Sequence, residues 1–536
     1  MLKNISILAA SLLISLGALA QSSPFSVELE SITIPNVGGV QAYAFGQHNG
    51  KWLIVGGRLD GLHQRQPFAA FTVSGNNNQL LVIDPITKQK WSAPLTSLPT
   101  AVQEQLSSTN MEFYQNDDYL YCVGGYGYSA TQSDHTTFPN LTAIKVSDVI
   151  SAVVNGTSFT NYFRQITDTK LQVTGGKLKK IGDTYYLLAG QKFLGRYNPM
   201  GPTQGPGFIQ EYVDGIRKFS IADDGTALSV THLPSHSDAV NLHRRDYNAE
   251  AQIMPNGEEG ITMFSGVFQP TVNLPFLNCV NVDSAGYQVN NAFQQYYNHY
   301  HCGAIPLYSA SNNEMHNVFF GGIAQYYDSA GVLVQDNDVP FVKTIARVTR
   351  DANGKMAEYK LPVDMPSLLG AGSEFIVNQS LPMYKNEVLK LDELGEEKIL
   401  LGYLYGGISS TAANIFFTNT GTQSSASSEI FAVYKVSYPE SVDQLNAQSA
   451  GTLDLRVYPN PSTKGFTIDF ELEAKGDVSI SITDISGRLI QDILLKDQSA
   501  GKNSFYKKIR SFDKSGVYFI SIESSSEKAT QKIIVE

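Results

Sequence analysis

Two short runs concentrate the side chains that could do chemistry. His243-Arg244-Arg245-Asp246-Tyr247-Asn248-Ala249-Glu250 sets two guanidinium groups beside two carboxylates. Tyr296-Tyr297-Asn298-His299-Tyr300-His301-Cys302-Gly303 sets aromatic rings beside imidazoles. Adjacent arginines can fork onto a carboxylate or sulfate. Flat rings can cover sugar faces, burying apolar area while keeping a polar edge. Together these residues outline a pocket for an acidic glycan or similar anion. The same side chains can instead form an Arg-Asp-Glu network that knits adjacent elements, and the sequence leaves both readings open. A catalytic pocket also needs a proton-transferring group beside the reacting atom. Asp246, Glu250 and His301 are the candidates. Arg58, His63 and Tyr126, in long loops earlier in the chain, join Arg244, Arg245, Asp246, Tyr247, Glu250, Tyr300 and His301 as expected ligand contacts. No metal or other cofactor is expected. No His or Cys spacing reads as a zinc site, and there is no G-x-S-x-G, H-E-x-x-H or P-loop motif.

The elements that must position these residues repeat. Six times an apolar strand ends on glycine: Trp52–Gly57, Tyr119–Gly125, Tyr185–Gly190, Ile261–Gly266, Asn317–Gly322 and Ile399–Gly407. A second apolar strand follows each, beginning near Leu80, Leu141, Ile216, Phe276, Thr344 and Ile430. Turn signals such as His48-Asn49-Gly50 and Asn116-Asp117-Asp118 precede most of them, with another strand before the turn, as in Met111–Gln115 or Leu178–Ile181. Each unit therefore opens as a β-hairpin. The terminal glycines suit a crowded backbone or one with positive φ. Such repeats call for a repeat architecture.

The first unit carries Gly56-Gly57, then Leu81-Val82-Ile83-Asp84-Pro85, Thr87 and Trp91. This resembles the Kelch repeat of β-propellers. Later units keep the glycine and the aliphatic strand but lose the Trp, and they run longer than the ~50 residues usual for Kelch. The resemblance implies an all-β, six-bladed Kelch-like propeller over residues 21–439. A spare N-terminal strand, Phe25–Ile34, would complete the sixth blade before a first hairpin at Val40–Phe45, leaving no open sheet edge. A seventh, degenerate blade around Leu381–Leu391 is the nearest rival, and an irregular β-sandwich the other. In Kelch propellers the loops between second and third strands open on the face of the central channel. Here those loops hold Arg58, Asp60, His63 and Arg65, then Tyr126, Tyr128, Asp134 and His135, then Arg196 and Tyr197, and later Tyr326, Tyr327, Asp336 and Asp338. Some propellers of this type are enzymes. Mutarotases acting on acidic sugars use charged channel residues, with which Arg244, Arg245 and Glu250 are compatible. Copper oxidases of this type need a Tyr-His pair, which Tyr300-His301 supplies, but a second histidine and a suitable cysteine cannot be assigned.

The chain ends carry addresses. Met1–Ala20, with Lys3, an apolar stretch and Ala18-Leu19-Ala20, reads as a signal peptide. The polar, small-residue stretch 440–452 reads as a linker. Residues 453–536 offer seven short strands, the pattern of a small Ig-like β-sandwich. Val457-Tyr458-Pro459-Asn460-Pro461, Gly465-Phe466, Asp484-Ile485-Ser486-Gly487-Arg488, Gly516-Val517-Tyr518-Phe519 and Lys532-Ile533-Ile534-Val535 occur in order. This is similar to the type A C-terminal sorting domain of the type IX secretion system of Bacteroidota. It implies passage through the outer membrane, the secretion machinery as a partner, and a place outside the cell or on its surface.

Composition agrees. Of 536 residues only 17% are charged, 11% are aromatic and 45 are glycine, as suits a secreted all-β protein. A net charge of −11 argues against nucleic acid as a partner. No other apolar run is long enough to span a membrane. Three cysteines cannot build a disulfide framework. Cys122 reads as a buried small hydrophobe, and pairing of Cys279 with Cys302 is left open. The expected role is binding an extracellular glycan or protein through the loop face, with an enzyme on an acidic sugar as the alternative.

Overall fold

A computed structural model of the protein describes residues 25–199, 208–329, 332–436 and 444–445, and most of 453–535. The expected signal peptide, 1–20, and most of the expected linker lie outside the described residues.

Successive antiparallel sheets fill the first part of the chain. The first joins Ala44–His48, Lys51–Val55, Gln79–Asp84 and Gln89–Pro94 in that order. The second joins Glu112–Asn116, Tyr119–Val123, Asn140–Lys145 and Phe163–Thr167. The third joins Lys177–Ile181, Thr184–Leu188, Gly215–Asp223 and Leu228–Ser237, and the fourth Asn248–Ile253, Glu259–Phe264, Cys279–Val282 and Tyr287–Asn290. The fifth is built on Ala304–Ser309, Glu314–Ile323, Phe341–Arg350 and Met356–Asp364. The sixth runs Ser373–Val377, Ile399–Gly406, Ile430–Val436 and then back to the N-terminal Ser26–Ile32. Ser26 faces Val436 and Ile32 faces Ile430 across that last pairing.

The second strand of each sheet reads as a continuous apolar run because both of its faces are covered. Leu53 and Val55 pack with Leu120, Cys122 and Ile144 between the first and second sheets. Trp52 and Ile54, on the opposite face of the same strand, pack with Tyr403, Tyr405 and Ile430 of the sixth. The intervening pairs are packed likewise, through Tyr121 with Leu187, Leu188 with Met263, Phe264 with Phe319, and Phe320 with Leu401. Face-to-face burial of this kind, at roughly 25 cal/mol per Å² of apolar surface, holds the sheets together.

The glycine repeat has a direct cause. Gly56-Gly57, Gly124-Gly125, Gly321-Gly322 and Gly406-Gly407 all have positive φ, while Ala189 and Ser265 take the first place before Gly190 and Gly266. The N–H of Gly57 donates to Ser108 O, Gly125 to Val173 O, Gly190 to Arg244 O, Gly322 to Leu369 O and Gly407 to Val40 O. A Cβ on Gly124 would lie 1.9 Å from Val173 O. The glycine lets one sheet's backbone bond to the next at contact distance.

Several boundaries move. The first strand of the first sheet starts at Ala44, so the expected hairpin at Val40–Phe45 shifts. The strand expected from Phe276 starts at Cys279. Leu381–Leu391 contributes a two-residue strand, Leu389–Lys390, parallel to Ala304–Ser309, and forms no sheet of its own. Two short α-helices, Thr100–Leu106 and Val146–Asn155, were not expected. The three cysteines are free and buried, so Cys279 and Cys302 do not pair.

In the C-terminal part, Arg456–Tyr458, Gly465–Leu472 and Gly501–Lys508 form one sheet. Gly476–Asp484, Leu489–Gln498, Gly516–Glu523 and Lys528–Val535 form the other. Phe466, Ile468 and Phe470 meet Ile480, Ile520 and Ile533 between them. Asn460, from the Tyr-Pro-Asn-Pro run, accepts the Ile534 N–H through its side chain (2.9 Å).

Candidate ligand site at the channel mouth

The first strands of the six sheets line one axial cavity. Phe45, Glu112, Lys177, Glu250, Ile305 and Glu374 each come from a different sheet. The cavity encloses about 1160 Å³, counting space open to solvent. Just before these strands the backbone closes on itself. Asn110 N–H donates to Ala42 O (3.0 Å), Gly175 to Asn110 (3.3 Å) and Asp246 to Gly175 (2.8 Å). His301 donates to Asp246 (3.0 Å), Gly372 to His301 (2.8 Å) and Ala42 to Gly372 (2.8 Å). This six-membered ring is the throat. Asn110, Asp246 and His301 are its polar side chains, and Lys177 stands just below them.

Second strands run antiparallel to first strands, so the loops that follow them rise around this throat. Two of the loops fuse. Tyr126–Ser129, Asp134–Thr137, Gln191–Leu194 and Ile209–Tyr212 form one four-stranded sheet. The first loop is pinned to it by Arg196 Nε donating to Ala70 O (2.8 Å) and by His135 Nε2 against Phe71 O (2.7 Å). The mouth is thereby walled by His63, Phe71, Tyr126, Phe193, Tyr197 and Arg245 on one side. Leu62, Tyr300, Ile323, Ile408 and Phe416 wall the other side, with Asp246 and His301 below.

The ten expected contacts separate into three groups. Arg245, Asp246, Tyr300, His301, His63 and Tyr126 border the mouth. Arg245 lies over the Tyr212 and Phe268 rings (5.8 and 5.3 Å to the centroids). Its Nη1 donates to Gln191 Oε1 at 3.2 Å, and its buried Nε has no acceptor among the described residues. Asp246 Oδ2 is 3.9 Å from Arg245. Burial pushes the Asp246 carboxyl up, against the pull of Arg245, His301 and Lys177. His301 Nε2 is 2.6 Å from Glu374 Oε1. Burial alone would raise Glu374, but Lys177 and His301 outweigh it and hold the carboxyl below its ordinary range. Burial brings the His63 imidazole down to about 4, so it is neutral at pH 7. It stacks on Phe71 at 5.5 Å. Burial raises the Tyr300 phenol, which stays protonated. The Tyr126 hydroxyl is occupied in joining the two fused loops, donating to Gly195 O (2.8 Å) and accepting from Tyr197 N–H (3.0 Å).

The second group is structural, which corrects the expectation for Arg58, Arg244 and Tyr247. Arg244 is fully buried. It donates to Asn241 O (2.6 Å), Ser265 O (2.6 Å), Asn278 O (3.0 Å) and Asn278 Oδ1 (2.5 Å), and its guanidinium lies 4.1 Å from the Phe276 ring centroid. Burial brings it down to about 10. Two adjacent arginines therefore do not fork onto one anion. Consecutive residues on a turn point apart, and only Arg245 faces the mouth. Tyr247 is also fully buried, its hydroxyl donating to Leu188 O (2.8 Å). Arg58 touches the mouth, but its donors go to Asp60, Asn76 and Thr72 O, bracing the first loop. Glu250 is in a third position. It stands below the throat, 3.1 Å from Lys179, and does not reach the mouth.

Sequence reasoning missed Glu374, Asn110, Lys177, Gln191 and Phe71. Glu112, Lys177, Glu250 and Glu374 each break the apolar pattern of a first strand. Superposing the six hairpins would have exposed that signal. Among the described residues no group of three or more His, Cys, Asp or Glu is arranged to hold a metal. Cys302 Sγ lies beside the Asn248 amide (3.5 Å).

The family model for the secretion system C-terminal sorting domain matches residues 456–536. No curated protein matches the sequence. Among solved structures, "Structure of YjhT" is similar at 10% identity and TM-score 0.39, over 78% of this chain and 99% of the other. "Crystal Structure of Exo-1,5-alpha-L-arabinanase from Bovine Ruminal Metagenomic Library" is similar at 7% identity and TM-score 0.27, over 77% and 98%. No helix among the described residues is long and apolar enough to cross a membrane. The tail marks the chain as a protein exported by the type IX secretion system, either secreted or held at the outer cell surface.

Proposed function

We propose that the protein is an exported six-bladed propeller of Kelch type whose loop face binds an anionic extracellular glycan. The sheet-to-sheet packing, the closed throat and the N-terminal strand on the last sheet support the blade count. Residues 453–536 act as the sorting domain, an Ig-like sandwich. One observation carries the ligand class. Arg245 stands in an aromatic-walled mouth with, among the described residues, one side-chain hydrogen bond and no acceptor for its buried Nε. An unsatisfied buried donor costs about 1–3 kcal/mol, which a ligand carboxylate or sulfate would recover. His63, Tyr197 and Tyr300 supply the surfaces that sugars stack on.

A glycan array with the mature protein tests this reading. Acidic glycans should bind, with a signal that falls as salt rises. Arg245→Ala should abolish the signal and leave the melting temperature near that of the wild type. Normal binding by Arg245→Ala would sink the proposal. An enzyme on an acidic sugar is the second reading, favoured by the His301–Glu374 pair.

A further inference from the structure

Five of the six throat residues hold a left-handed backbone: Ala42 (φ 50°), Asn110 (51°), Gly175 (70°), Asp246 (49°) and Gly372 (71°). Glycine meets that demand at 175 and 372. Asp246 meets it with a carboxylate, at a cost that glycine avoids, and turns that carboxylate toward the axis. No protein hydrogen bond to the Asp246 side chain is found among the described residues, and 28% of its surface is open to the cavity. The next throat residue is His301, bonded to it by backbone. Glu374, an acceptor when ionised, holds Nε2 at 2.6 Å, so Nε2 carries the proton. Nδ1 is then the basic nitrogen, and His301 borders both the throat and the mouth. Arg245, 3.9 Å from Asp246, completes the group.

We propose that Asp246 and His301 are an acid–base pair that cleaves a uronate-containing glycan by β-elimination, with Arg245 holding the uronate carboxylate. This rests on the reading of the mouth as an acidic-glycan pocket. A carboxylate on Arg245 puts the adjacent ring carbon over the throat. Its C–H is acidified as the guanidinium takes up the charge that develops on the carboxylate. His301 Nδ1 removes that proton. The C–H electron pair becomes a carbon–carbon double bond, and the bond from the next carbon to its glycosidic oxygen breaks. The departing oxygen takes its electron pair and the proton of Asp246. Proton return from His301 to Asp246 resets the site. No oxidant, metal or water is consumed. A hydrolase would set a second carboxylate across the reacting bond, whereas here the partner of Asp246 is an imidazole.

The test uses the mature protein with polygalacturonate, alginate and hyaluronan as probes. Calorimetry reads binding and ultraviolet absorbance reads the unsaturated product. At least one probe should bind in an Arg245-dependent way and gain absorbance. His301→Gln and Asp246→Asn should each lower kcat by about 10²–10⁴-fold while binding persists. Asn is close in shape to Asp and tolerates positive φ, so the Asp246 variant should also melt normally. Glu374→Gln, which removes the ionised acceptor at His301 Nε2 and the charge paired with Lys177 3.9 Å away, should lower kcat and leave KM near its wild-type value. Arg245-dependent binding with no unsaturated product overturns this inference and leaves the binding reading intact. Undiminished turnover in His301→Gln also overturns it. If no probe binds through Arg245, the pocket reading falls and this inference with it.

Discussion

At the residue scale, neighbours in sequence take opposite roles. Arg244 and Arg245 differ by one position on a turn, so one side chain enters the core between strands and the other the mouth. Arg244→Ala should strip hydrogen bonds from the Ser265 and Asn278 carbonyls and the Asn278 side chain. A loss of about 3 kcal/mol is expected, read as a lower denaturation midpoint with glycan binding retained in the folded fraction. Glu112 offers a pH test. It is 2% exposed, accepts Gly176 N–H through Oε1 at 2.8 Å, and its Oε2 has no partner among the described residues. Burial pushes its carboxyl up to about 8. The native state then holds a proton that the unfolded chain releases above its ordinary carboxylate value. The stability from that proton is fully present below the unfolded value and is lost as pH rises through 8. Glu112→Gln removes the titration. The variant should gain on the wild type by roughly 4 kcal/mol between pH 5 and pH 8.5, measured by urea unfolding at both. An equal difference at both pH values would show that Glu112 is not protonated in the fold.

At the element scale, two features hold the ring of sheets closed. The first is the positive-φ glycine that ends each second strand, preceded by another glycine in four of the six sheets. Gly124→Ala would force a Cβ onto the Val173 carbonyl and put an alanine at φ +65°. It should destabilise by about 3 kcal/mol or more, seen as a lower midpoint with unchanged signal in the folded state. The second is the N-terminal strand. Ser26–Ile32 pairs along its whole length with Ile430–Val436, and Phe25 packs edge-on to His316 at 5.6 Å. Deleting residues 21–35 should expose the edge of Ile430–Val436 and strip the core of Phe25 and Val27. Broad, multi-step unfolding and aggregation are the expected outcome. Cooperative melting at the wild-type temperature would count against ring closure by this strand. The helix Val146–Asn155 is legible in the sequence. Val146, Val149, Ile150 and Val153 follow helical spacing, and Gly156 caps the end with φ 65°.

At the scale of the whole molecule, the two parts serve different steps. The tail acts in export, and the proposed ligand site belongs to the ring of sheets. Truncation after Ala450 should leave the protein in the periplasm of its native host with its ring of sheets folded. Surface display of the truncated form would refute the assignment of export to the tail. The mouth is built from loops of several sheets, so partial unfolding at any seam should cost binding before it costs strand content. Circular dichroism and glycan binding followed in one denaturant titration would separate the two.

The sequence by itself determined the repeat, the all-β class, the export signal and the run that supplies the floor of the mouth. Those features are local. A glycine at a strand end, an alternating strand and an ordered set of tail motifs each follow from backbone geometry over a few residues. The sequence could not sort Arg244 from Arg245, because a turn's direction depends on what the next sheet leaves open. Nor could it bring Glu374 to His301, 73 positions apart. That contact exists because successive sheets place their first strands side by side around one axis. Asn110, Asp246 and His301 meet for the same reason. Each precedes a first strand, and the hydrogen-bonded throat brings equivalent positions of the repeat together. The tertiary structure thus turned a periodic pattern into a single site, because closing the ring converts equal spacing along the chain into proximity at the axis.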